Sequence, residues 1–274
     1  MSEVKVRDKF WLFSSPAHDD DIFLLNRGCD ERFAKRSRIT PAEGAFMLDI
    51  PNVVMVSSQG RPVPFSEDAY GYMESFCNIK NVMWSITGST GFRTGNEEEF
   101  ICELSKKYPN IMGAFLDDLM GYGGVDKGEK FYMDEIAKMK EKLSNASKPI
   151  ELWSTCYTKS VHKYSREMYK DIDGITVWNM QTDEIPNMDE DFSRYEDLLP
   201  DTRKMLGLYI YDYDQDRSVT LENMHFQCET GLKWLKEGRI EGMIFLTNCV
   251  MGIGLKSEYW LRDWIKKVGN ENLR

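Results

Sequence analysis

Eight short runs of aliphatic, β-branched and aromatic residues recur along the chain at intervals of roughly 25 to 45 residues. They are "FWLFSSP" from Phe10, "VVMVSSQG" from Val53, "VMWSITGS" from Val82, "IMGAFLDD" from Ile111, "IELWSTCY" from Ile150, "GITVWNM" from Gly174, "MLGLYIYDYD" from Met205 and "GMIFLTNC" from Gly242. Between them lie amphipathic stretches with helix start signals. "TPAE" from Thr40 offers an N-cap threonine, a proline at the first helical position and a capping-box glutamate. Ser66 precedes two acids, and "GNEEEFICELSKKY" places acids first and lysines last, as the helix dipole favours. "GEKFYMDEIAKMKEKL", "SVHKYSREMYKDI", "TLENMHFQCETGLKWLKEG" and "SEYWLRDWIKKVG" read as helices too, whereas "DEIPNMDEDFSRYEDLLPD" is more irregular and reads as short helical pieces.

Strand followed by helix, eight times over, is the order of a (β/α)8 TIM barrel, and 274 residues is near the usual size of that fold. An open doubly wound sheet fits less well, because no G-x-G-x-x-G follows the first strand. No linker or composition break divides the chain, so one α/β barrel domain over residues 1–274 is expected.

The barrel order gives meaning to the stretch "GAFLDDLMG", Gly113 to Gly121. It puts Asp117 and Asp118 at the C-terminal end of the fourth strand, the end at which barrel active sites are built. Two adjacent carboxylates repel unless they are solvated, ligate something or do chemistry. Strand alternation sends one into the barrel mouth and the other toward the helical layer or the next loop; either assignment fits the sequence. The plain alternative is that both cap the turn at "GYGG".

Other strand ends converge on the same rim. The first brings Ser14, Ser15, His18, Asp19 and Asp20; the second and third bring Ser57, Ser58, Gln59, Ser85, Thr87 and Ser89. The fifth brings Thr155 and Tyr157, the sixth Trp178, Asn179 and Gln181, the seventh Asp212 and Asp214, and the eighth Thr247 and Asn248. Hydroxyls, amides, carboxylates and aromatic rings together suit a polyhydroxylated ligand, whose hydroxyls need acceptors and donors and whose ring face packs on Trp or Tyr. Trp178 lies nearest its strand end and is the best platform; Trp11 and Trp153 read as core. Tyr209, Tyr211 and Tyr213 alternate with Asp212 and Asp214.

With "FLDDLMG" on the fourth strand and "YIYDYD" on the seventh, the chain resembles the (β/α)8-barrel glycoside hydrolases, at the level of the superfamily and over nearly its whole length. The resemblance implies two carboxyl groups flanking a glycosidic bond. Asp118 or Asp117 would act on one side and Asp212 or Asp214 on the other. Trp178, Asn179, Gln181, Asn248, Tyr157 and His18 would bind a saccharide substrate, with no cofactor and no metal. The rim acids here are aspartates where many such enzymes carry glutamates. Asp183 and Glu184 are a reserve pair, and Glu151 sits at the start of its strand on the stability face.

A second class is a divalent-metal hydrolase or lyase centred on His18 and the rim aspartates of "HDDD", an oxygen-rich set suited to Mg²⁺ or Mn²⁺. A third is a non-catalytic saccharide-binding barrel. "GIGLKSE" gives a weak phosphate signal, Lys159 lies past its strand end for an aldolase, and "RFAKRSR" reads as a solvated basic face. A net charge of -10 argues against a nucleic-acid partner. No run approaches a membrane span, no secretory signal is seen at the N-terminus, and six scattered cysteines form no C-x-x-C pair; a cytoplasmic location is expected.

Overall fold

A computed structural model of the chain describes residues 3–19, 36–119, 126–213 and 215–273. Its centre is a closed barrel of eight parallel strands. These are β1 (Phe10–Ser14), β2 (Asn52–Met55), β3 (Asn81–Thr87), β4 (Ile111–Leu116), β5 (Glu151–Tyr157), β6 (Gly174–Trp178), β7 (Arg203–Tyr209) and β10 (Gly242–Leu246). Each pairs with its neighbours in sequence, and β1 closes on β10 through Phe10↔Met243 to Phe13↔Leu246. All eight coincide with the apolar runs expected from the sequence. Such runs are near-continuous because strands in a parallel barrel are covered by side chains inside and by helices outside. A two-stranded ribbon of β8 (Tyr211–Asp212) and β9 (Arg217–Ser218) follows β7 on the rim.

Seven α-helices are present among the described residues: α1 (Pro41–Leu48), α2 (Glu67–Ser75), α3 (Glu97–Lys107), α4 (Glu129–Leu143), α5 (Met188–Leu198), α6 (Leu221–Glu237) and α7 (Lys256–Val268). Their starts obey local chemistry. Thr40 Oγ1 accepts from Glu43 N at 3.3 Å while Glu43 Oε2 accepts from Thr40 N at 2.9 Å, a reciprocal cap for α1. Ser66 caps α2 through Ala69 N, and Thr220 caps α6 through Asn223 N. No helix among the described residues is long and apolar enough to cross a membrane.

Two connections depart from the sequence reading. The stretch "SVHKYSREMYKDI" is not an α-helix; it follows a short 3₁₀ turn at Thr158–Ser160 and holds another at Arg166–Tyr169. Its backbone is extended at Ser165, whose N–H and hydroxyl both donate to the Glu129 carboxylate at the start of α4. That side chain offers the segment partners which a continuous helix would have to forgo. Conversely, the irregular stretch before β7 forms a 3₁₀ turn at Thr182–Asn187 and then the eleven-residue α5. Its apolar face buries Met188, Phe192 and Tyr195, spaced as a helix requires.

The core is aromatic where it supports the mouth. Trp178 lies opposite Gly207 in the β6–β7 register and packs edge-on against Phe13 and Tyr209. A Cβ at Gly207 would come within 2.1 Å of the indole, so β7 approaches this ring only because the residue has no side chain. Trp11 and Trp153 are core residues as expected. Gly207→Ala is therefore predicted to destabilise the barrel by about 1–3 kcal/mol, as overpacking does, and to displace Trp178. Chemical denaturation monitored by tryptophan fluorescence checks this; unchanged stability would contradict the packing account.

Candidate active site

At the C-terminal end of the barrel lies a cavity of about 250 Å³. Its wall joins residues from β1, β4, β5, β6, β7 and β10 or the loops that follow them, including Phe13, Asp117, Thr155, Trp178, Tyr209 and Thr247. Asp19 from the loop after β1, Asp118 after β4 and Tyr157 at the end of β5 also line it.

Both adjacent aspartates face this one cavity, and the reason is backbone geometry. Strict strand alternation predicts one in and one out, but β4 ends at Leu116, so alternation no longer governs Asp117 and Asp118. Asp118 has a φ of 49°, the left-handed region that Asp enters more readily than most residues. The turn swings its carboxylate back to the side that Asp117 already occupies. Asp117 is seated by Thr87, whose hydroxyl donates to its carbonyl at 2.8 Å and whose carbonyl accepts its N–H at 3.1 Å. A register shift between Ser85 and Thr87 in the β3–β4 pairing brings Thr87 to that position.

The two carboxyls then differ in their surroundings. Asp117 is 5% exposed and accepts one side-chain hydrogen bond, from Thr155 Oγ1 at 3.1 Å. Burial, followed by repulsion from Asp118, pushes its pKa well above the ordinary carboxyl value, with Asp19 adding to the repulsion and hydrogen bonds from Thr155 and the Asp118 backbone N–H opposing it. Asp118 is more accessible. Burial raises its pKa too, but two hydrogen bonds oppose the rise: Tyr157 Oη donates to Oδ1 at 2.7 Å and Thr90 N to Oδ2 at 3.1 Å. The Tyr157 phenol is itself held far above its usual range, first by burial, and so stays a donor. Burial raises Asp19 as well, against a hydrogen bond from Ser58.

The remaining expected residues lie around this centre rather than in it. Trp178, 1% exposed, lines the cavity and anchors its Nε1 to Thr176 Oγ1 at 2.8 Å. Asp212 does not line the cavity: it is 1% exposed in the β8–β9 ribbon, accepts from Thr182 Oγ1 and from Gln215 N at 3.0 Å, and stands 3.6 Å from Arg217 Nε. Asp214 lies outside the described residues. Asn248 is engaged on every side, with Ser15 N, Ser15 O, Ile39 O and the Thr247 hydroxyl, and ties the end of β10 to the end of β1. Asn179 bonds Glu184 O and Thr158, and Gln181 starts the following 3₁₀ turn. His18 is exposed beside Arg38. Asp183 contacts Gln215 and Arg217, Glu184 pairs with Lys159, and Glu151 pairs with Arg203 at the opposite end of the barrel.

No group of three His, Cys, Asp or Glu side chains that could hold a metal ion is found among the described residues. At the start of α7, Gly252 N donates to the buried carboxylate of Glu258, so an acid already stands where "GIGLKSE" suggested phosphate. Phe13, Val56, Met180 and Leu246 complete the cavity and escaped the sequence reading, because apolar residues near strand ends look like ordinary core.

Among solved structures, the chain is similar to active domain 2 of a thermostable chitinase from Pyrococcus furiosus, with 12% identity over 95% of this chain and 96% of that one and a TM-score of 0.56. It is also similar to a psychrophilic family 10 endo-β-1,4-xylanase (12% identity, 92% and 96% covered, TM-score 0.53). A third is the α-L-arabinofuranosidase from Thermotoga maritima (10% identity, 89% and 65% covered, TM-score 0.54). The fold is shared with (β/α)8-barrel glycoside hydrolases. At these identities the likeness is one of fold. No protein-family model matches the chain, and no curated protein sequence matches it.

The raised carboxyls carry a stability signature. A carboxyl whose pKa is higher in the folded chain than in the unfolded one binds more proton when folded. Its folded form is therefore favoured at low pH, and stability is lost as pH rises from the ordinary value of 3.8 through the raised one. Asp117→Asn removes the buried ionisation while keeping an acceptor for Thr155. The variant is predicted to unfold at higher denaturant than wild type at neutral pH, with the gap closing toward pH 3.8. Urea unfolding across this range checks it, and a gap independent of pH would contradict the burial of a charge-bearing Asp117.

Proposed function

We propose that this chain is a glycoside hydrolase whose catalytic groups are Asp117 and Asp118. The observation that carries the reading is that two carboxyls share one aromatic-walled cavity in different surroundings, Asp117 buried against Thr155 and Asp118 more accessible and bonded by Tyr157 and Thr90 N. That split is how a single site holds an acid and a base at once. Asp117, buried and repelled by its neighbours, keeps its proton and donates it to the glycosidic oxygen as the bond to the leaving group breaks. Asp118, supported by Tyr157 and Thr90 N, is the anion that faces the developing oxocarbenium, as nucleophile or as base to a water. The sugar ring packs on Trp178 and Tyr209, and Thr155 and Ser15 offer hydroxyls along the wall.

The partnership expected between the fourth and seventh strands shifts in this proposal. Asp19, which shares the cavity, is the further rim acid, and Asp212 organises the ribbon beside it. A cytoplasmic setting belongs to the same reading, supported by Cys77, Cys102, Cys156 and Cys228 being free thiols among the described residues.

On whichever aryl glycoside the wild type hydrolyses best, Asp117→Asn and Asp118→Asn are each predicted to lower kcat by about 10²–10⁴-fold, whereas Asp212→Asn retains turnover in its folded fraction. Release of the chromophore is the readout, with circular dichroism as the folding control. Activity near wild type in both β4 variants, or no turnover by wild type across a broad panel of aryl glycosides, would sink the proposal.

A further inference from the structure

The charge on the described cavity wall is of one sign. Among its described residues the ionisable acids are Asp19, Asp117 and Asp118, and none is Lys, Arg or His. Among the described residues of the surrounding rim, Arg217 stands beside Asp212, Lys159 pairs with Glu184 and Arg38 lies beside His18. The rest of the wall is rich in aromatic rings, namely Phe13, Tyr157, Trp178, Tyr209 and Tyr213. Trp178 and Tyr209 pack at 5.3 Å and Tyr209 and Tyr213 at 6.1 Å, so the rings form a connected surface rather than isolated contacts.

Carboxylates and ring faces are the two groups that attract a partly desolvated ammonium. A uronic acid or a sugar phosphate entering this cavity meets repulsion from its ionised acids, with no cation among the described wall residues to offset it. A neutral hexose leaves that repulsion untouched. An ammonium relieves it, because each carboxyl is held above its ordinary pKa by burial, and Asp117 also by its acidic neighbours.

Resting on the hydrolase reading, we infer that the sugar bound in this cavity is a hexosamine with a free, protonated amine, held between the Asp19 side of the wall and the aromatic surface. Asp117 and Asp118 keep the acid and base roles, and Asp19 is the residue that selects for the amine.

The test is calorimetric binding at about pH 6, where the amine is charged. The probes are methyl glycosides of glucosamine and galactosamine, their N-acetyl forms, the parent glucoside and galactoside, and methyl glucuronide, each in both anomers. At least one amine glycoside is expected to bind about tenfold or more tightly than its N-acetyl and neutral counterparts, with the glucuronide weakest. Asp19→Asn is expected to erase that preference. Asp19 sits in the loop after β1, and the thermal transition reports whether the variant is folded. The wild-type ranking, which needs no variant, stands as the second readout. Neutral or N-acetyl glycosides binding as tightly as the amine would overturn the inference while leaving the hydrolase reading intact. Binding of none of the probes would overturn the inference, and the aryl glycoside panel then decides the hydrolase reading separately. An amine preference that survives in Asp19→Asn would overturn the role of Asp19.

Discussion

The arrangement at the barrel mouth depends on how the chain leaves β4. A parallel barrel fixes where strand ends stand, but a regular strand end offers alternate residues to alternate faces. Here the strand stops one residue before the acids, Thr87 clamps the backbone of Asp117, and Asp118 turns through a left-handed conformation. Two neighbouring carboxyls thereby share one cavity. Their proximity follows from the backbone, with Thr87 holding Asp117 in place.

Electrostatics then separates what the backbone has joined. Taking a carboxylate out of water disfavours the charged form, and the neighbouring charges acting on Asp117 are other acids. Asp118 escapes part of this because Tyr157 and Thr90 N stabilise its charge. The same contacts explain the supporting shell: Thr155 orients Asp117, and Gly207 makes room for the indole that floors the cavity. In the proposed reading, a cavity that holds a proton on one group and an anion on its neighbour costs folding stability at neutral pH and offers paired acid and base in return.

Much of this was legible in the residues. The eight strands could be read from apolar runs because both faces of a parallel strand are buried, and α1 could be read from Thr40 and Glu43 because capping is local. Asp117, Asp118, Trp178 and Tyr157 were legible because barrel strand ends converge on one rim. What was not legible depended on three-dimensional partners. Asp212 looks like a rim acid in "YIYDYD", yet the β8–β9 ribbon and Thr182 enclose it. Asn248 looks like a sugar ligand, yet the backbones of Ser15 and Ile39 engage its amide. The helix expected after β5 is broken by Glu129, thirty-six residues from its partner Ser165. The left-handed turn at Asp118, which contradicts simple alternation, has no signature beyond the identity of the residue.

The most direct test of the account is a carbon-13 NMR titration of the aspartate carboxyls in the wild-type chain, with Asp117, Asp118 and Asp19 assigned by single substitution. The account predicts that Asp117 holds its proton to the highest pH of the three and that Asp118 ionises below it, both above the ordinary 3.8. Asp117 and Asp118 titrating together at the ordinary carboxyl value would show two solvated acids at a strand end, and would contradict the division of roles on which the proposed chemistry stands.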